Sequence, residues 1–317
     1  MIGEWVYVNG AICAKDAATV SVFDHGFLYG DGVFEGIAVA RRAVFKLDAH
    51  IERLRDSARY LAIAAPEVDA LREAALQVAR RNNLDEGYLR IVLTRGAGPV
   101  GIRNMDKLGA PTLVMIAQHE VRAQRAAIYE HGLTAVIAAT RRIPPECVDG
   151  KAKTCNYINN ILGFQEAIRA GADEAIMLND SGYITEATAD NIFVIRGGEV
   201  LTPPAYLGLL KGITRGVVLE LAREMAIPSD ERVLVMQDVY TADEVFLTGT
   251  GAELVPVVEV DGRRIGAGRP GPVFLRLLNG FRERTKWDGV PLKPESPAKV
   301  RSERALRAAR ASEASLQ

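Results

Sequence analysis

The sequence has little net charge and few cysteines. Its 39 Lys and Arg against 40 Asp and Glu give a formal charge of -1, which is too weak a field to hold a nucleic acid or an anionic membrane surface. We therefore expect no nucleic-acid partner and a small ligand bound by a few placed residues. The three cysteines are widely spaced and form no C-x-x-C pair. This pattern argues against a disulfide framework and predicts a reducing, cytoplasmic compartment.

Long apolar runs and metal-ligand spacings are also missing. No stretch approaches the roughly 18 uninterrupted apolar residues of a membrane span. The opening MIGEWVYVNG has no basic start followed by an apolar run, so we expect no signal peptide. The four histidines show no H-E-x-x-H or related spacing, and we predict no metal site.

The composition and periodicity predict a two-domain fold. Hydrophobic residues make up 48% of the 317 residues and charged residues 25%, a balance typical of globular proteins. We predict a smaller N-terminal α+β domain and a larger C-terminal α/β domain. The predicted parts are 1–118 for the small domain, 119–130 for a polar connector, 131–287 for the large domain and 288–317 for a polar tail, either disordered or a loosely attached helix.

Short-range patterns predict the elements of each domain. In the first domain they are a hairpin at 5–12 around Asn9-Gly10, helices at about 50–64 and 67–82, and strands at 88–94 and 112–117. In the second they are strands at 133–138, 174–178, 192–195, 200–201, 233–236 and 244–248, and helices at about 156–169 and 214–225.

A lysine at the entry to a predicted helix is the first candidate for chemistry. A lysine on a short tether can be partly desolvated, which lowers its pKa and frees the neutral amine to form a Schiff base. In the run Gly150-Lys151-Ala152-Lys153, an extended chain points both lysines the same way, so periodicity leaves Lys151 and Lys153 as alternatives. Two solvated lysines are the ordinary interpretation of such a run.

Three further segments indicate ligand binding. Glu186 lies in a small-residue stretch between two predicted strands, where a carboxylate can pair with a protonated ring nitrogen. The segments 211–215 and 247–253 place glycines and hydroxyls at a helix entry and after a strand, a pattern that favours an anion such as phosphate. Taken alone, the first feature is more often an exposed turn glutamate and the other two are more often ordinary helix caps.

Seven motifs in order resemble the fold-type IV pyridoxal-phosphate enzymes, and within them the branched-chain amino acid aminotransferases. The resemblance covers about 7–287. The motifs are Tyr29-Gly30-Asp31-Gly32-Val33-Phe34-Glu35-Gly36, His50-Ile51-Glu52-Arg53-Leu54, Tyr88-Leu89-Arg90, Lys153-Thr154-Cys155-Asn156-Tyr157, the segment around Glu186, Gly212-Ile213-Thr214-Arg215 and Thr248-Gly249-Thr250.

The resemblance implies a role for each candidate residue. Lys153, just before the Asn-Tyr pair, would form the Schiff base with pyridoxal 5'-phosphate, Tyr157 would bond the ring's phenolic oxygen, and Glu186 would pair with the pyridine nitrogen. The residues that would bind the phosphate of the cofactor are Arg53, Ile213, Thr214 and Thr250, and Gly249 would contact the cofactor close to the substrate carboxylate. The residues that would bind the substrate are Tyr29, Phe34, Tyr88, Arg90, Thr250 and Gly251.

The implied activity is transamination of leucine, isoleucine and valine with 2-oxoglutarate, in a ping-pong cycle through Lys153. The implied assembly is at least a homodimer, with N-terminal pocket residues contributed across the interface. Ala38 stands where many branched-chain enzymes carry a basic residue, which leaves the preferred amino acid open.

Three rival interpretations are weighed against this one. A D-amino acid aminotransferase would show an Arg-x-His element after the Tyr-x-Arg strand, where this chain has Arg95-Gly96-Ala97. An aminodeoxychorismate-lyase-like enzyme would use the same lysine for elimination. A cofactor-free binding module is the alternative from a different class.

Overall fold

A computed structural model describes residues 1–119 and 123–292. Within these ranges the chain forms two sheets and eight α-helices. The strands are β1 (Ile2–Val8), β2 (Ala11–Ala14), β3 (Gly32–Ala40), β4 (Ala43–Phe45), β5 (Gly87–Thr94), β6 (Thr112–His119), β7 (Leu133–Ile137), β8 (Glu174–Leu178), β9 (Ile184–Ala187), β10 (Asn191–Arg196), β11 (Glu199–Thr202), β12 (Ser229–Glu231), β13 (Glu244–Gly249), β14 (Glu253–Val260), β15 (Arg263–Arg264) and β16 (Gly289–Pro291). The helices are α1 (His25–Tyr29), α2 (Leu47–Tyr60), α3 (Val68–Arg81), α4 (Ala123–His131), α5 (Ile158–Ala170), α6 (Ile213–Glu224), α7 (Met236–Tyr240) and α8 (Pro272–Arg284).

The first sheet is antiparallel and has the order β16-β4-β3-β5-β6-β1-β2. The β1–β2 hairpin turns at Asn9 and Gly10, which both have positive φ angles (45° and 96°), as a tight hairpin turn requires. Helix α2 packs on β3, and α3 packs on β1, β5 and β6. The predicted apolar stripe of α2 is confirmed, because Ile51, Leu54 and Ala58 are completely buried against the sheet.

The second sheet is mixed and has the order β12-β11-β10-β13-β14-β7-β8-β9, with β15 on β14. Strands β14, β7 and β8 run parallel, while β10, β13 and β14 are antiparallel neighbours. Helix α5 packs on β7 and β8, and α6 and α8 pack on each other and on β13. The predicted fold class, a smaller α+β part followed by a larger α/β part, is confirmed. The domain boundary at residue 118 stays a prediction.

Three predicted segments differ from the structure. The strand predicted at 233–236 is wrong. The Leu234 carbonyl accepts one hydrogen bond from the amide of Ile184, but this segment forms no β-ladder with a neighbouring strand in the described part of the chain. The polar segment at 119–130 contains most of the helix α4, which was not predicted, and its role as a connector stays a prediction. The tail predicted from 288 onward begins as an ordered strand, since β16 pairs with β4 and Leu292 is buried. The rest of that tail lies outside the described residues.

No helix in the described parts of the chain is both long and apolar enough to span a bilayer. Over the same residues, no group of three or more His, Cys, Asp and Glu side chains is placed to hold a metal ion.

Candidate active site

The segment before α5 is anchored to strand β3. The amide of Phe34 donates to the Lys153 carbonyl at 3.0 Å, and Cys155 donates to Gly32 at 2.8 Å. The Lys153 amide also donates to the Ser57 hydroxyl of α2 at 3.0 Å. These contacts join residues more than 90 positions apart, so the backbone of Lys153 is fixed between β3 and α2.

The two alternative lysines differ sharply in environment. The Lys151 side chain is 54% exposed and pairs with Asp149 at 3.1 Å, so it is an ordinary surface lysine. Lys153 is only partly exposed, and its amine donates to the Tyr157 hydroxyl at 3.2 Å and lies 4.6 Å from the centre of the Phe34 ring. Burial lowers the pKa of Lys153, and although Glu35 opposes this effect, the direction remains downward. The neutral, nucleophilic form of the amine is therefore more accessible here than on an exposed lysine.

Glu186 lies on β9, not in the loop between strands that the sequence predicted. Its Oε1 atom is 2.9 Å from Arg142 Nη2, and its Oε2 atom accepts from the Asn191 amide group and the Leu210 amide, each at 3.1 Å. Burial raises the pKa of Glu186, whereas Arg142 lowers it. The net direction is upward, so the ionised form of this carboxylate depends on the contacts with Arg142, Asn191 and Leu210 that oppose the effect of burial.

Most of the candidate residues line one of two neighbouring cavities. A cavity of about 620 Å³ is lined by Lys153 and Tyr157 together with residues of both sheets. A second cavity, of about 50 Å³, is lined by Lys153, Tyr157 and Glu186. Because Lys153 and Tyr157 border both spaces, the partly buried amine and the buried carboxylate face adjoining volumes.

Three of the predicted phosphate residues come together at the start of α6. Ile213 and Thr214 are the first two residues of this helix, where backbone N–H groups have no partner within the helix. Arg53 of α2 lines the same cavity, and its Nη1 atom donates to the Lys211 carbonyl just before the helix at 3.1 Å. Gly212 is required here, since a Cβ atom would lie 2.0 Å from Asn191 Oδ1.

The β13–β14 turn forms another edge of the cavity. Gly249, Thr250 and Gly251 all line it. The buried Thr248 hydroxyl has no hydrogen-bond partner among the described residues. A hydroxyl of this kind, at the wall of a cavity, indicates that a polar ligand completes the site.

The first sheet supplies the remaining wall. Tyr88 and Arg90 project from the same face of β5, and the register pairs Arg90 with Gly36 of β3. The Arg90 guanidinium stacks 3.5 Å from the centre of the Phe34 ring, which in turn packs edge-on against Tyr157 at 5.0 Å. The Tyr88 hydroxyl lies over Gly36, where an added Cβ atom would be 1.7 Å away.

Tyr29 is the one predicted site residue that the structure places elsewhere. It ends α1, is 38% exposed, and accepts a hydrogen bond from the Gly101 amide at 2.7 Å. It is not among the residues that line either cavity of this chain.

Several site residues were not predicted from the sequence. Arg142 bonds Glu186, yet in sequence it is one of two arginines before a Pro-Pro turn. Asp190 lines the large cavity beside Gly249. Glu35 binds Arg53, and no hydropathy pattern pointed to it, because residues on both faces of β3 are buried. The cavity is also lined by Met1, Gln118 and His119.

The site suits one kind of cofactor. A phosphorylated, nitrogen-containing aromatic aldehyde would meet a partly buried amine at Lys153, a buried carboxylate at Glu186, and an anion-binding helix start at Ile213 and Thr214. These three groups border connected cavities, and the donor set matches pyridoxal 5'-phosphate.

Comparison with known proteins gives the same result. The family model described as "Amino-transferase class IV" matches residues 32–260. A putative branched-chain-amino-acid aminotransferase of Methanocaldococcus jannaschii is 44% identical over 284 residues, covering 89% of this chain and 97% of the relative.

Solved structures agree in fold. The branched-chain amino acid aminotransferase of Escherichia coli superposes with a TM-score of 0.86 at 33% identity, covering 92% of this chain and 100% of that one. The T.th. branched-chain amino acid aminotransferase, crystallised with pyridoxamine 5'-phosphate, also gives a TM-score of 0.86, at 32% identity over 90% of this chain and 95% of that one. The chain therefore belongs to the class IV aminotransferases, among the branched-chain amino acid aminotransferases.

Proposed function

We propose that this chain exchanges the amino group of leucine, isoleucine or valine with 2-oxoglutarate, using pyridoxal 5'-phosphate held on Lys153. The observation that carries the proposal is the partly buried Lys153 amine, which borders the same cavity as Arg53 and the start of α6. When bound, pyridoxal 5'-phosphate supplies an aldehyde for the substrate amine and a ring that delocalises the electrons left at Cα.

The chain's own residues then bind, orient and move protons. Lys153, whose pKa burial lowers, would act as the base that removes the Cα proton of the substrate and delivers it to the carbon that carried the aldehyde. Burial raises the pKa of Tyr157 to about 12, so its hydroxyl stays protonated and can donate to the phenolic oxygen of the ring. Glu186 is assigned to the ring nitrogen, and Arg53 with Ile213 and Thr214 to the phosphate.

The cavity wall suits both substrates of the proposed cycle. Phe34 offers an apolar surface for an aliphatic side chain, while Tyr88 and Arg90 offer a phenol and a guanidinium for the second carboxylate of glutamate. The turn of Gly249, Thr250 and Gly251 is assigned to the α-carboxylate. Solved structures of the T.th. enzyme support this pairing, because that enzyme was crystallised with N-(5'-phosphopyridoxyl)-L-glutamate and with 4-methylvaleric acid.

The role of Lys153 is tested by a matched pair of lysine variants. Lys153→Ala is expected to keep the fold but to lose turnover and the visible absorbance of the covalently held cofactor. Lys151→Ala removes a lysine two positions away whose amine is exposed, so it is expected to retain both. An active Lys153→Ala chain, or equal losses in the two variants, would refute the assignment.

The substrate class is tested with a panel of amino donors in both enantiomers, with 2-oxoglutarate as acceptor. We expect L-leucine, L-isoleucine and L-valine to bleach the visible absorbance and to give parallel double-reciprocal plots, as a ping-pong cycle requires. Preference for D-amino acids would favour the D-amino acid aminotransferase alternative. Release of pyruvate from aminodeoxychorismate would favour the lyase alternative.

We further propose that the enzyme is a cytoplasmic homodimer or higher homo-oligomer in which Tyr29 reaches the partner's cavity. Tyr29 adjoins a run of exposed apolar side chains, and exposed apolar patches of this kind mark interfaces. The patch comprises Val22, Phe23 and Phe27, which are 54–73% exposed, with Val100 and Ile102 beside them at 60% and 68%. Hydrogen bonds from Gly98 to Phe23 and from Gly101 to Tyr29 hold these two loops together.

A charge placed in this patch tests the assembly. Phe27→Asp is expected to shift the chain from dimer to monomer in light scattering and to raise KM for the amino acid, because the partner's Tyr29 is lost from the cavity. The exposed Tyr206 lies far along the chain in the second domain, and Tyr206→Asp serves as the control. A monomeric wild-type chain with full activity would contradict the proposal.

A further inference from the structure

A buried polar cluster lies directly behind Arg53. Glu35 follows Phe34 on β3, and because side chains alternate along a strand, Phe34 faces the cavity while Glu35 faces α2. Glu35 is completely buried, and so is His50 to within 1%. His50 and Arg53 lie three positions apart on α2 and therefore share the face that meets Glu35.

The contacts within the cluster are short and directional. Glu35 accepts two parallel hydrogen bonds from Arg53, at 2.6 Å from Nε and 2.8 Å from Nη2. Its Oε2 atom also lies 2.7 Å from His50 Nδ1. The Arg53 Nη1 atom donates to the Lys211 carbonyl at 3.1 Å. The guanidinium is therefore held on two sides, by the first sheet and by the residue that precedes α6.

This arrangement leaves a defined part of Arg53 for a ligand. A guanidinium has five N–H groups in a rigid plane, and the contacts to Glu35 and Lys211 use three of them. The remaining two belong to Nη1 and Nη2, at the end of the side chain, and Arg53 borders the cavity. The plane and direction of the free donors are thus set by Glu35 and by the Lys211 carbonyl.

The charges of the three side chains fit these contacts. Burial would raise the pKa of Glu35, but Arg53 and His50 outweigh it and hold the pKa at about 2. Burial lowers the pKa of His50, so the imidazole is neutral and its Nδ1–H donates to Glu35. The ion pair is between Glu35 and Arg53, and His50 braces the carboxylate without adding charge.

We propose that Glu35 is a positioning residue that orients the Arg53 guanidinium toward the phosphate of the cofactor, an inference that rests on the function proposed above. Because Glu35 balances the charge of Arg53, the arginine acts through two aimed hydrogen bonds more than through net charge. Phosphate recognition then depends on a residue that does not border the cavity.

The test compares two ligands that differ only in the phosphate. The full-length chain, freed of cofactor, is titrated with pyridoxal 5'-phosphate and with pyridoxal, and the ratio of the two dissociation constants measures phosphate recognition. Glu35→Gln is expected to reduce this ratio by about 10- to 100-fold, the value of a hydrogen bond to a charged group. Arg53→Ala is expected to reduce it at least as much, and the double variant no further than Arg53→Ala alone.

Glu244→Gln is the matched control, because Glu244 is also a buried carboxylate and caps α8 through the amides of Val273 and Phe274. It is expected to lower thermal stability and leave the ratio unchanged. Glu35→Asp keeps the buried charge on a shorter side chain and is expected to give an intermediate ratio, so it decides the question if Glu35→Gln does not fold.

Three outcomes overturn the inference: a wild-type ratio in a folded Glu35 variant, additive losses in the double variant, or an equal loss in Glu244→Gln. Failure of the proposed function has a different signature. In that case the wild-type chain itself binds neither ligand, or does not distinguish pyridoxal 5'-phosphate from pyridoxal.

Discussion

Replacing Asp190 by asparagine is expected to stabilise the cofactor-free chain above neutral pH. The Asp190 carboxylate lines the large cavity and lies against Gly249, with Oδ1 only 1.7 Å from where a Cβ atom would stand. Among the described residues it accepts no hydrogen bond. Burial raises its pKa to about 7, the nearby Glu174 adds to this effect, and Lys153 opposes it.

The sign and size of this stability difference follow from the link between the pKa of Asp190 and the free energy of unfolding. A carboxyl whose pKa rises on folding contributes stability below its unfolded value of 3.8, and this stability is lost as the pH rises through about 7. The full shift corresponds to about 4 kcal/mol. Because the side chain is partly exposed to the open cavity, solvent screens it, and we expect about half, or ~2 kcal/mol. Asparagine cannot ionise and avoids this loss.

The assay is thermal unfolding of cofactor-free wild type and Asp190→Asn across pH. For a chain of this size, ~2 kcal/mol corresponds to a melting temperature about 4 °C higher for the variant near pH 8.5. The two curves are expected to converge near about pH 4. Asp180→Asn, in an exposed turn, is the control and should show no such divergence. A variant no more stable than wild type at high pH would refute the reasoning.

Two other substitutions probe the walls of the site. Arg142→Gln removes the cation that lies 2.9 Å from Glu186. Breaking a buried ion pair from one side is expected to cost about 3–5 kcal/mol of unfolding free energy, which denaturant unfolding measures. An unchanged unfolding midpoint would contradict the role of the pair. Gly36→Ala puts a Cβ atom 1.7 Å from the Tyr88 hydroxyl, so the phenol must move, and KM for the amino acid is expected to rise roughly tenfold with little change in melting temperature. Steady-state kinetics with L-leucine check the second prediction, and an unchanged KM would show that Tyr88 does not contact substrate.

Local patterns were enough for the elements whose signal lies in their own residues. The apolar stripe of α2 predicted its buried face, and Asn9-Gly10 predicted the first hairpin. The segments of β5 and β6 were found because β-branched and apolar residues run between clear loop residues. In each case the pattern lies within the element's own residues, so the element can be predicted without knowing which strand pairs with it.

Strand β3 was not predicted because its residues do not alternate between buried apolar and exposed polar side chains. Of its nine residues, seven are buried, including Glu35, and the glycines at its start resemble a turn. The predicted strand at 233–236 failed for the opposite reason. Its pattern alternates, with Leu234 buried between the partly exposed Val233 and Val235, but it has no ladder partner. Burial and pairing in both cases are set by distant segments.

Contacts with segments distant in sequence also explain why periodicity could not choose between Lys151 and Lys153. The choice is made by β3, because the bridge between Val33 and Thr154 and the bond from Phe34 to the Lys153 carbonyl fix which lysine turns inward. Strand β3 therefore positions the amine through its backbone and Arg53 through the side chain of Glu35. A change that shifts this strand would move the covalent anchor and the phosphate anchor of the cofactor together, although neither anchor lies on it.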